Sequence, residues 1–347
     1  MSDTALAAAS ATAGLRRVGS DERMFFIVGR GRSGSTLLAR MLDAHPAIAV
    51  AEESLFIMSL AGRYGRGRWD ARRVRRFSRD LWYEERMRRW GLQRDALEAT
   101  LAHGADEATF PRLCADVYAA SAAARGKGDA RLLGDKNPHY GLLVPALARL
   151  FPRARFIHLV RDYRDNILSY RSVRFDLSSP GGLAYRWKRY NEAILAAART
   201  MPDRCLRVRY EDLVASPESE LRRLCRFLGV PFTAEQLRFH ERGGRVDLAW
   251  HRNASRPPDL YRAGRWRTRM TAAECAAADR ICQPLGEAFG YAPSHAPVTV
   301  RARGRAAAGA VLGRLMTDAE ELVFRVPLPL RAGLIRLYRL VTGNRIA

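Results

Sequence analysis

Glycines, small hydroxyl residues and arginines crowd together directly after a short apolar run near the start of the chain. Residues 25–28 (FFIV) are typical of a buried parallel strand, residues 29–36 (GRGRSGST) follow it, and a helical pattern opens at Leu37. In such an arrangement the loop N–H groups and the helix dipole point at one spot, which favours an anion there. The spacing therefore predicts a phosphate-binding loop, with Arg32 as the cation inside it.

The loop differs from the ATP-binding loop of kinases and NTPases. That motif, G-x-x-x-x-G-K-[ST], needs a lysine at the position that Ser35 occupies here. A P-loop kinase or NTPase is the alternative interpretation, and it would also require an aspartate for Mg²⁺ at a strand end. The residues that we expect to contact the anion are Arg30, Gly31, Arg32, Ser33, Gly34, Ser35 and Thr36.

A second block of the same kind lies in the middle of the chain. Residues 155–160 (RFIHLV) predict another buried strand, Arg161 follows at its carboxyl end, and Ser169 comes eight residues after Arg161, in the next predicted helix. Ligands of open α/β sheets bind at the carboxyl edge of the strands. We therefore expect the two blocks to serve one site.

Lysine is almost absent from this chain, which points to a special role for one of the few that are present. Of 59 Lys and Arg residues only three are lysines, namely Lys127, Lys136 and Lys188. A GC-rich genome explains the arginines, so a surviving lysine is one that arginine cannot replace. Lys136, in the segment GDKNP, is the candidate, because a compact ammonium suits a single oxygen whereas a guanidinium forks across two. Lys127 and Lys188 are expected to be replaceable by arginine.

Two stretches closely resemble one enzyme family. The run RSGSTLLARMLDAHP followed by AEES, and the later RDYRD with Ser169, resemble the sulfotransferases that use phosphoadenosine phosphosulfate (PAPS), and are closest in motif to the tyrosylprotein sulfotransferase-like branch. The resemblance implies an α/β fold, a P-loop-like three-layer sandwich with a central parallel sheet flanked by helices. It also implies in-line, metal-independent transfer of a sulfuryl group from PAPS to an acceptor hydroxyl or amine, with adenosine 3′,5′-bisphosphate (PAP) as the product.

The resemblance assigns roles to the residues that bind the donor. The loop with Arg32 would hold the 5′-phosphate and the sulfuryl group, and Arg161 and Ser169 would bind the 3′-phosphate that distinguishes PAPS from ATP. Lys136 would contact the leaving phosphate. Tyr210 would lie on the adenine side.

Two further roles follow from the same resemblance. Glu53, just after the first helix, falls on the position of the base that accepts the proton of the acceptor, and Glu52 is the neighbour that could replace it. A raised pKa of this carboxyl group would favour its role as a base. Arg265 falls in a basic loop that closes over the donor.

Net charge and cysteine content say less about function than the motifs do. A net charge of +23 would attract any polyanion, but no nucleic-acid reading module is recognisable, so a basic nucleic-acid-binding protein is the weaker alternative. Five scattered cysteines without C-x-x-C spacing favour reduced thiols and a cytoplasmic location. Neither cysteines nor histidines have metal-ligand spacing. The sequence leaves the acceptor open between a carbohydrate, a lipid and a peptide.

The chain is expected to divide into one large domain and two terminal segments. Residues 1–20 are predicted to be disordered, 21–294 to form the domain with a helical, Arg-rich insertion at about 60–125, and 295–347 to form a basic amphipathic helical tail. Within the insertion, residues 96–124 are predicted to be one Ala-rich helix. The tail has two interpretations, packing on its own domain or lying on an anionic membrane surface. Its apolar face is formed by Leu330, Leu334, Leu337, Tyr338 and Val341.

Overall fold

A parallel five-stranded sheet forms the centre of the protein, as a computed structural model shows. The strand order is β2–β3–β1–β4–β5, and neighbouring strands are parallel throughout. The strands are β1 Met24–Val28, β2 Ile48–Ala51, β3 Leu132–Lys136, β4 Arg155–Val160 and β5 Cys205–Arg209. The structure describes residues 22–326 except 104, 174–175, 243–255 and 298, together with residues 330 and 333.

Helices cover both faces of this sheet. In the first half of the chain they are α1 Ser35–Asp43, α2 Phe56–Tyr64, α3 Ala71–Leu81, α4 Arg94–His103, α5 Phe110–Ala124 and α6 Val144–Leu150. In the second half they are α7 Tyr163–Arg171, α8 Pro180–Arg199, α9 Tyr210–Ala215, α10 Pro217–Leu228, α11 Trp266–Arg269, α12 Ala272–Cys282, α13 Leu285–Ala288 and α14 Val300–Arg325.

The central strand β1 is buried on both sides, as a strand between two helical layers must be. Met24, Phe26 and Val28 belong to one apolar core, and Phe25 and Ile27 belong to another. Side chains alternate between the faces of a strand, so the two cores lie on opposite faces of the sheet. The predicted three-layer α/β fold with a parallel central sheet is therefore confirmed.

The carboxyl edge of the sheet collects the residues that the sequence analysis singled out. The phosphate-binding loop follows β1, Glu53 follows β2, Lys136 ends β3, Arg161 follows β4, and Tyr210 follows β5. Parallel strands end at the same edge, so topology alone brings these side chains to one region.

The Arg-rich insertion is broken into shorter helices. The single helix predicted for residues 96–124 is wrong, since α4 ends at His103 and α5 begins at Phe110. Thr109 ends the connection, because its hydroxyl accepts a hydrogen bond from the N–H of Arg112 (3.3 Å) and Pro111 follows in the first turn of α5. Side-chain caps of this kind begin a new helix.

The C-terminal part of the described chain packs on the domain. Helix α14 lies against α8 and α12, and it falls within the helical tail predicted for residues 295–347. The N-terminal segment 1–20 and most of the apolar face of the tail lie outside the described residues, so the interpretations given for them stay predictions. Of the helices that the structure describes, not one combines the length and apolar character needed to cross a membrane.

Candidate active site

The phosphate-binding loop has a backbone shape that only certain residues allow. Gly34, the residue before α1, has φ 97°, and a Cβ there would lie 2.4 Å from the ring of Tyr210. Both the left-handed backbone and the lack of space require glycine. From α7, Asn166 pins the loop by donating through Nδ2 to the carbonyl of Gly31 (2.8 Å) and to Oγ of Ser33 (3.2 Å). Asn166 thus fixes the position of the loop from the neighbouring helix.

Arg161 contacts this loop directly. Its Nη1 donates to the carbonyl of Arg32 (3.2 Å), its Nη2 donates to the carbonyl of Arg262 (2.7 Å), and its guanidinium lies 4.5 Å from the ring centre of Tyr210. Its Nε is buried and makes no hydrogen bond within the described part of the chain. A buried donor without a partner is costly unless a ligand supplies the acceptor.

The structure brings the predicted donor contacts into one cationic cluster. Nε of Arg32 donates to Oγ of Ser169 (3.2 Å), so the loop cation and the helix hydroxyl touch each other. Burial lowers the pKa of Arg32, and the nearby charges of Arg161 and Arg262 lower it further. Cations held this close repel each other, and an anion placed among them would relieve that repulsion.

Lys136 and Glu53 form an ion pair at the other end of the loop. The ammonium of Lys136 donates to the Glu53 carboxylate and also lies 3.4 Å from Oγ1 of Thr36 at the start of α1. Arg86 approaches the second oxygen of Glu53 at 3.6 Å. Three predicted site residues are therefore in direct contact, with an arginine of the insertion added to them.

This ion pair reverses the expected pKa of the candidate base. Burial by itself would raise the pKa of Glu53, but Lys136 and Arg86 outweigh burial and lower it to about 2. The expectation of a raised pKa is wrong for the protein without ligands, because two cations stabilise the carboxylate. Glu52 is exposed, whereas Glu53 lies within the site and pairs with Lys136.

Two of the arginines predicted to bind the donor, Arg30 and Arg265, lie outside the cationic cluster formed by Arg32, Arg161 and Ser169. The guanidinium of Arg30 is buried, pairs with Asp176, and stacks on the rings of Tyr170 (4.2 Å) and Tyr190 (4.9 Å). These partners already engage its guanidinium. Arg265 is exposed at the start of α11. Donor contacts by these two side chains remain predictions that their surroundings do not favour.

Three residues that the sequence analysis missed join the site, namely Arg86, Asn166 and Arg262. Arg262 is brought there by Asp165, whose carboxylate accepts from the backbone N–H groups of Gly264 (2.6 Å) and Trp266 (2.9 Å). These bonds tie the segment before α11 to α7. The motif RDYRD contained the signal for this contact, since Asp165 is its last residue.

A metal site does not emerge from the described residues, where no group of three or more His, Cys, Asp or Glu side chains could hold an ion. Arg32, Lys136 and Arg161 are among the cations that lie around the phosphate-binding loop.

Comparison with known proteins identifies relatives of the chain. The model of the sulfotransferase family matches residues 25–234. Protein-tyrosine sulfotransferase 1 of Danio rerio is 30% identical over 231 residues, which are 65% of this chain and 58% of that protein. The protein-tyrosine sulfotransferase of Drosophila melanogaster is 29% identical over 224 residues, 63% of this chain and 40% of that protein. The chain thus spans about half the length of these two relatives.

A solved structure agrees with these sequence matches. The sulfotransferase domain of the Synechococcus PCC 7002 olefin synthase is 28% identical to this chain and superimposes with a TM-score of 0.54. The superposition covers 78% of this chain and 95% of that domain. The resemblance seen in the two motif blocks is thereby confirmed.

Proposed function

Because the chain belongs to the sulfotransferase family, we propose that it transfers a sulfuryl group from PAPS to the hydroxyl of an acceptor. The observation that carries the proposal is the contact between Lys136 and Glu53 at the rim of the phosphate-binding loop. A cation for the leaving oxygen and a carboxylate for the incoming hydroxyl are placed side by side there. Such a transfer needs both groups.

The cationic cluster supports PAPS as the donor. Arg161, Arg32 and Ser169 converge beside the loop. Nε of Arg161, which has no hydrogen-bond partner among the described residues, fits an additional phosphate oxygen. PAPS carries a 3′-phosphate that ATP lacks, and a second anion contact apart from the loop accounts for that group. The loop N–H groups would hold the 5′-phosphate and its sulfuryl group.

The proposed reaction is an in-line displacement at sulfur. The acceptor oxygen forms a bond to sulfur while the bond between sulfur and the 5′-phosphate oxygen breaks, and PAP leaves with the electron pair of that bond. Lys136, Arg32 and the loop N–H groups stabilise the charge that builds on the leaving oxygen, without a metal. The proton of the acceptor passes to Glu53.

Donor binding would prepare Glu53 for that step. In the free protein Lys136 keeps the pKa of Glu53 at about 2, which makes it a weak base. When the ammonium turns to the phosphate of the donor, the carboxylate loses its strongest partner and its pKa rises. The base is thus activated only when the donor is in place.

The relatives suggest which acceptor to test first. Two of them are named protein-tyrosine sulfotransferases, so a tyrosyl hydroxyl in a peptide is the first candidate, and carbohydrate and lipid hydroxyls follow it. The Arg-rich insertion contributes Arg86 to the site next to Glu53, so the acceptor side is cationic. Cations there favour an acceptor with negative charge near its hydroxyl.

Two measurements test the proposal. Calorimetry with PAP, ATP plus Mg²⁺, and duplex DNA should show tight binding of PAP alone. Sulfur-labelled PAPS, incubated with a tyrosyl peptide, an oligosaccharide and a glycolipid, should label one of them. Binding of ATP as tight as that of PAP would instead favour the kinase or NTPase interpretation, and preferential binding of DNA would favour a nucleic-acid-binding protein.

A further inference from the structure

Arg30 belongs to the phosphate-binding loop, but its side chain is buried against other elements. It follows β1 by two residues, and its side chain is 4% exposed. Its guanidinium pairs with Asp176 and lies over the rings of Tyr170 in α7 (4.2 Å) and Tyr190 in α8 (4.9 Å). A cation enclosed by a carboxylate and two aromatic rings is fixed in place, so it also holds the backbone that carries it.

The backbone next to Arg30 lies directly against one of these rings. The carbonyl of Gly31 accepts a hydrogen bond from Nδ2 of Asn166 (2.8 Å), and a Cβ on Gly31 would collide with the hydroxyl of Tyr170. The ring of Tyr170 therefore contacts both the guanidinium of Arg30 and the loop backbone. Displacement of Arg30 would disturb that support of the loop.

A carboxylate of the C-terminal helix connects to Arg30 by two routes. Glu320 of α14 accepts a hydrogen bond from the hydroxyl of Tyr190 (2.6 Å), whose ring lies against Arg30. It also accepts one from Nη2 of Arg186 (2.6 Å), whose Nε lies 3.5 Å from the carboxylate of Asp176. Asp176 is the ion-pair partner of Arg30. Arginines and carboxylates thus alternate along the second route, and each charge depends on its neighbours.

Close helix packing keeps Glu320 within reach of its partners. A Cβ on Gly313 would lie 2.6 Å from the carbonyl of Gly182 in α8, and a Cβ on Gly309 would collide with Oγ of Ser179. Helix α14 therefore meets α8 through backbone, and a side chain at either glycine would force the two helices apart. The position of Glu320 is thus specified by particular glycines.

The chain of ion pairs would rearrange without the charge of Glu320. Arg186 would lose its 2.6 Å contact and turn to Asp176, in competition with Arg30. His139, whose Nδ1 lies 2.7 Å from Glu320, would lose a partner as well. A buried cation that loses part of its carboxylate is strongly destabilised. The disturbance would therefore extend to the Arg30 side chain and to the loop.

We infer that Glu320 is a positioning residue of the donor site, which fixes the phosphate-binding loop through Arg30. The inference rests on the proposed function, because it takes this loop as the site of the 5′-phosphate of the donor. Arg30 is then an anchor of the loop instead of a donor contact. The C-terminal helix, which lies beyond residue 234, where the match to the sulfotransferase family model ends, contributes to donor affinity in this way.

The sign of the change in PAP affinity distinguishes an anchor from a donor contact. Asp176→Asn and Glu320→Gln each remove a negative charge, so electrostatics alone would tighten the binding of an anion. If Arg30 were a donor contact, Asp176→Asn would also release its cation towards PAP. An anchored loop predicts weaker binding in both variants, because the loop N–H groups lose their fixed direction.

Calorimetry of the full chain with PAP makes this measurement. Glu320→Gln and Asp176→Asn should each weaken PAP binding by about tenfold, within the range that side chains of a connected network contribute to binding elsewhere. The loss in the double variant should be smaller than the sum of the two, since both act through Arg30. Unchanged or tighter binding in Glu320→Gln, or fully additive losses, would overturn the inference.

Glu321→Gln is the matched control for these measurements. Glu321 is the next carboxylate on α14 and lies 3.7 Å from Arg189. Its replacement removes the same charge from the same helix without touching the partners of Arg30. PAP affinity of Glu321→Gln should therefore stay within about twofold of the parent, and a loss equal to that of Glu320→Gln would overturn the inference.

A second pair of variants separates the position of Glu320 from its charge. Gly313→Ala keeps the carboxylate but presses α14 away from α8, and it should also weaken PAP binding. Gly304→Ala is its control, since nothing lies within 4 Å of that Cβ position. This pair decides the matter if Glu320→Gln does not fold. Equal PAP affinity in Gly313→Ala and Gly304→Ala would then overturn the inference.

Hydrogen exchange tests the loop without any ligand. The peptide of residues 29–38, which contains the loop and the first turn of α1, should exchange faster in Glu320→Gln than in the parent and in Glu321→Gln. Peptides of α4 should exchange as in the parent, which separates a local effect from a general loss of stability. Equal exchange of the loop peptide would overturn the inference. Absence of PAP binding by the parent would instead count against the proposed function, and it would leave the exchange result as it stands.

Discussion

The ammonium of Lys136 donates a hydrogen bond to the carboxylate of Glu53 in the protein without ligands. The side chain of Lys136 is 7% exposed and that of Glu53 is 27% exposed, so the pair is partly shielded from water. The group proposed to stabilise the leaving oxygen thus neutralises the group proposed to take the proton. This arrangement links donor binding to activation of the base.

Replacement of Glu53 tests the base directly. Glu53→Gln keeps the shape of the side chain and frees Lys136, so PAP binding measured by calorimetry should not weaken. Turnover with labelled PAPS should fall by about 10²–10⁴-fold, the usual contribution of a general base. Glu52→Gln is the matched control, because Glu52 is the exposed neighbour. Loss of activity in Glu52→Gln with full activity in Glu53→Gln would move the base by one residue.

Replacement of Arg161 tests how the donor is recognised. Arg161→Ala should weaken PAP binding by about 1.5–3 kcal/mol, the range for a hydrogen bond to a charged group. Binding of adenosine 5′-phosphate should change little, because it lacks the 3′-phosphate. Calorimetry of both nucleotides decides the matter, and equal losses would show that Arg161 only supports the loop through the carbonyl of Arg32. Arg265→Ala, at an exposed position, is measured beside it and should leave both affinities unchanged.

Replacement of Lys136 tests whether a point charge is needed. Lys136→Arg keeps the positive charge but spreads it over a planar guanidinium. That larger group must fit where the ammonium lies between Glu53 and Thr36. Turnover should fall at least about tenfold, which is about 1.4 kcal/mol of barrier. PAP affinity should change little. Lys188→Arg is the matched control, since Lys188 lies on the surface of α8, 3.8 Å from Glu192. Equal turnover in the two variants would remove the special role of Lys136.

A second lysine also occupies a site that suits an ammonium. Lys127 is 14% exposed and donates to the backbone carbonyls of Asp43, His45 and Ile48 in the connection between α1 and β2. Lys127→Arg should therefore lower the free energy of unfolding by about 1–3 kcal/mol, the cost of hydrogen bonds left unmade in a buried place. Urea denaturation measures it, with Lys188→Arg as the comparison. The expectation from sequence that both lysines are replaceable concerns turnover, and it stays a prediction for Lys127 and for Lys188.

The fold and the centre of the site were predictable because their signals are local. A strand, a glycine-rich turn and a helix start lie within one short stretch, and Arg161 with Ser169 lies within another. The pKa of Glu53 was not predictable, because Lys136 stands 83 residues away and only the sheet brings the two together. Glu320 is further still, 181 residues from His139, and no spacing rule connects them. Partners joined by packing alone leave no pattern in a single sequence.

Asp135 provides a prediction about stability and pH. Its side chain is 1% exposed, and burial, together with the charge of Glu53, raises its pKa from the usual 3.8 to about 7. Between about pH 4 and 7 the folded state therefore holds a proton that the unfolded state releases, so this carboxyl makes the fold less stable as pH rises. Asp135→Asn removes the titrating group. Its free energy of unfolding should therefore lack the decrease with rising pH that Asp135 causes in the parent.

The measurement is urea denaturation of both proteins at pH 5, 6, 7 and 8. The free energy of unfolding of Asp135→Asn, relative to the parent, should increase with pH up to about 7 and then level off. The rise should be about 2–4 kcal/mol, since each unit of pKa shift is worth about 1.4 kcal/mol. Asp129→Asn, at an exposed position in the connection before β3, should show no such slope. A difference that stays constant or shrinks with rising pH would mean that Asp135 is ionised in the folded protein and stabilised by Lys136.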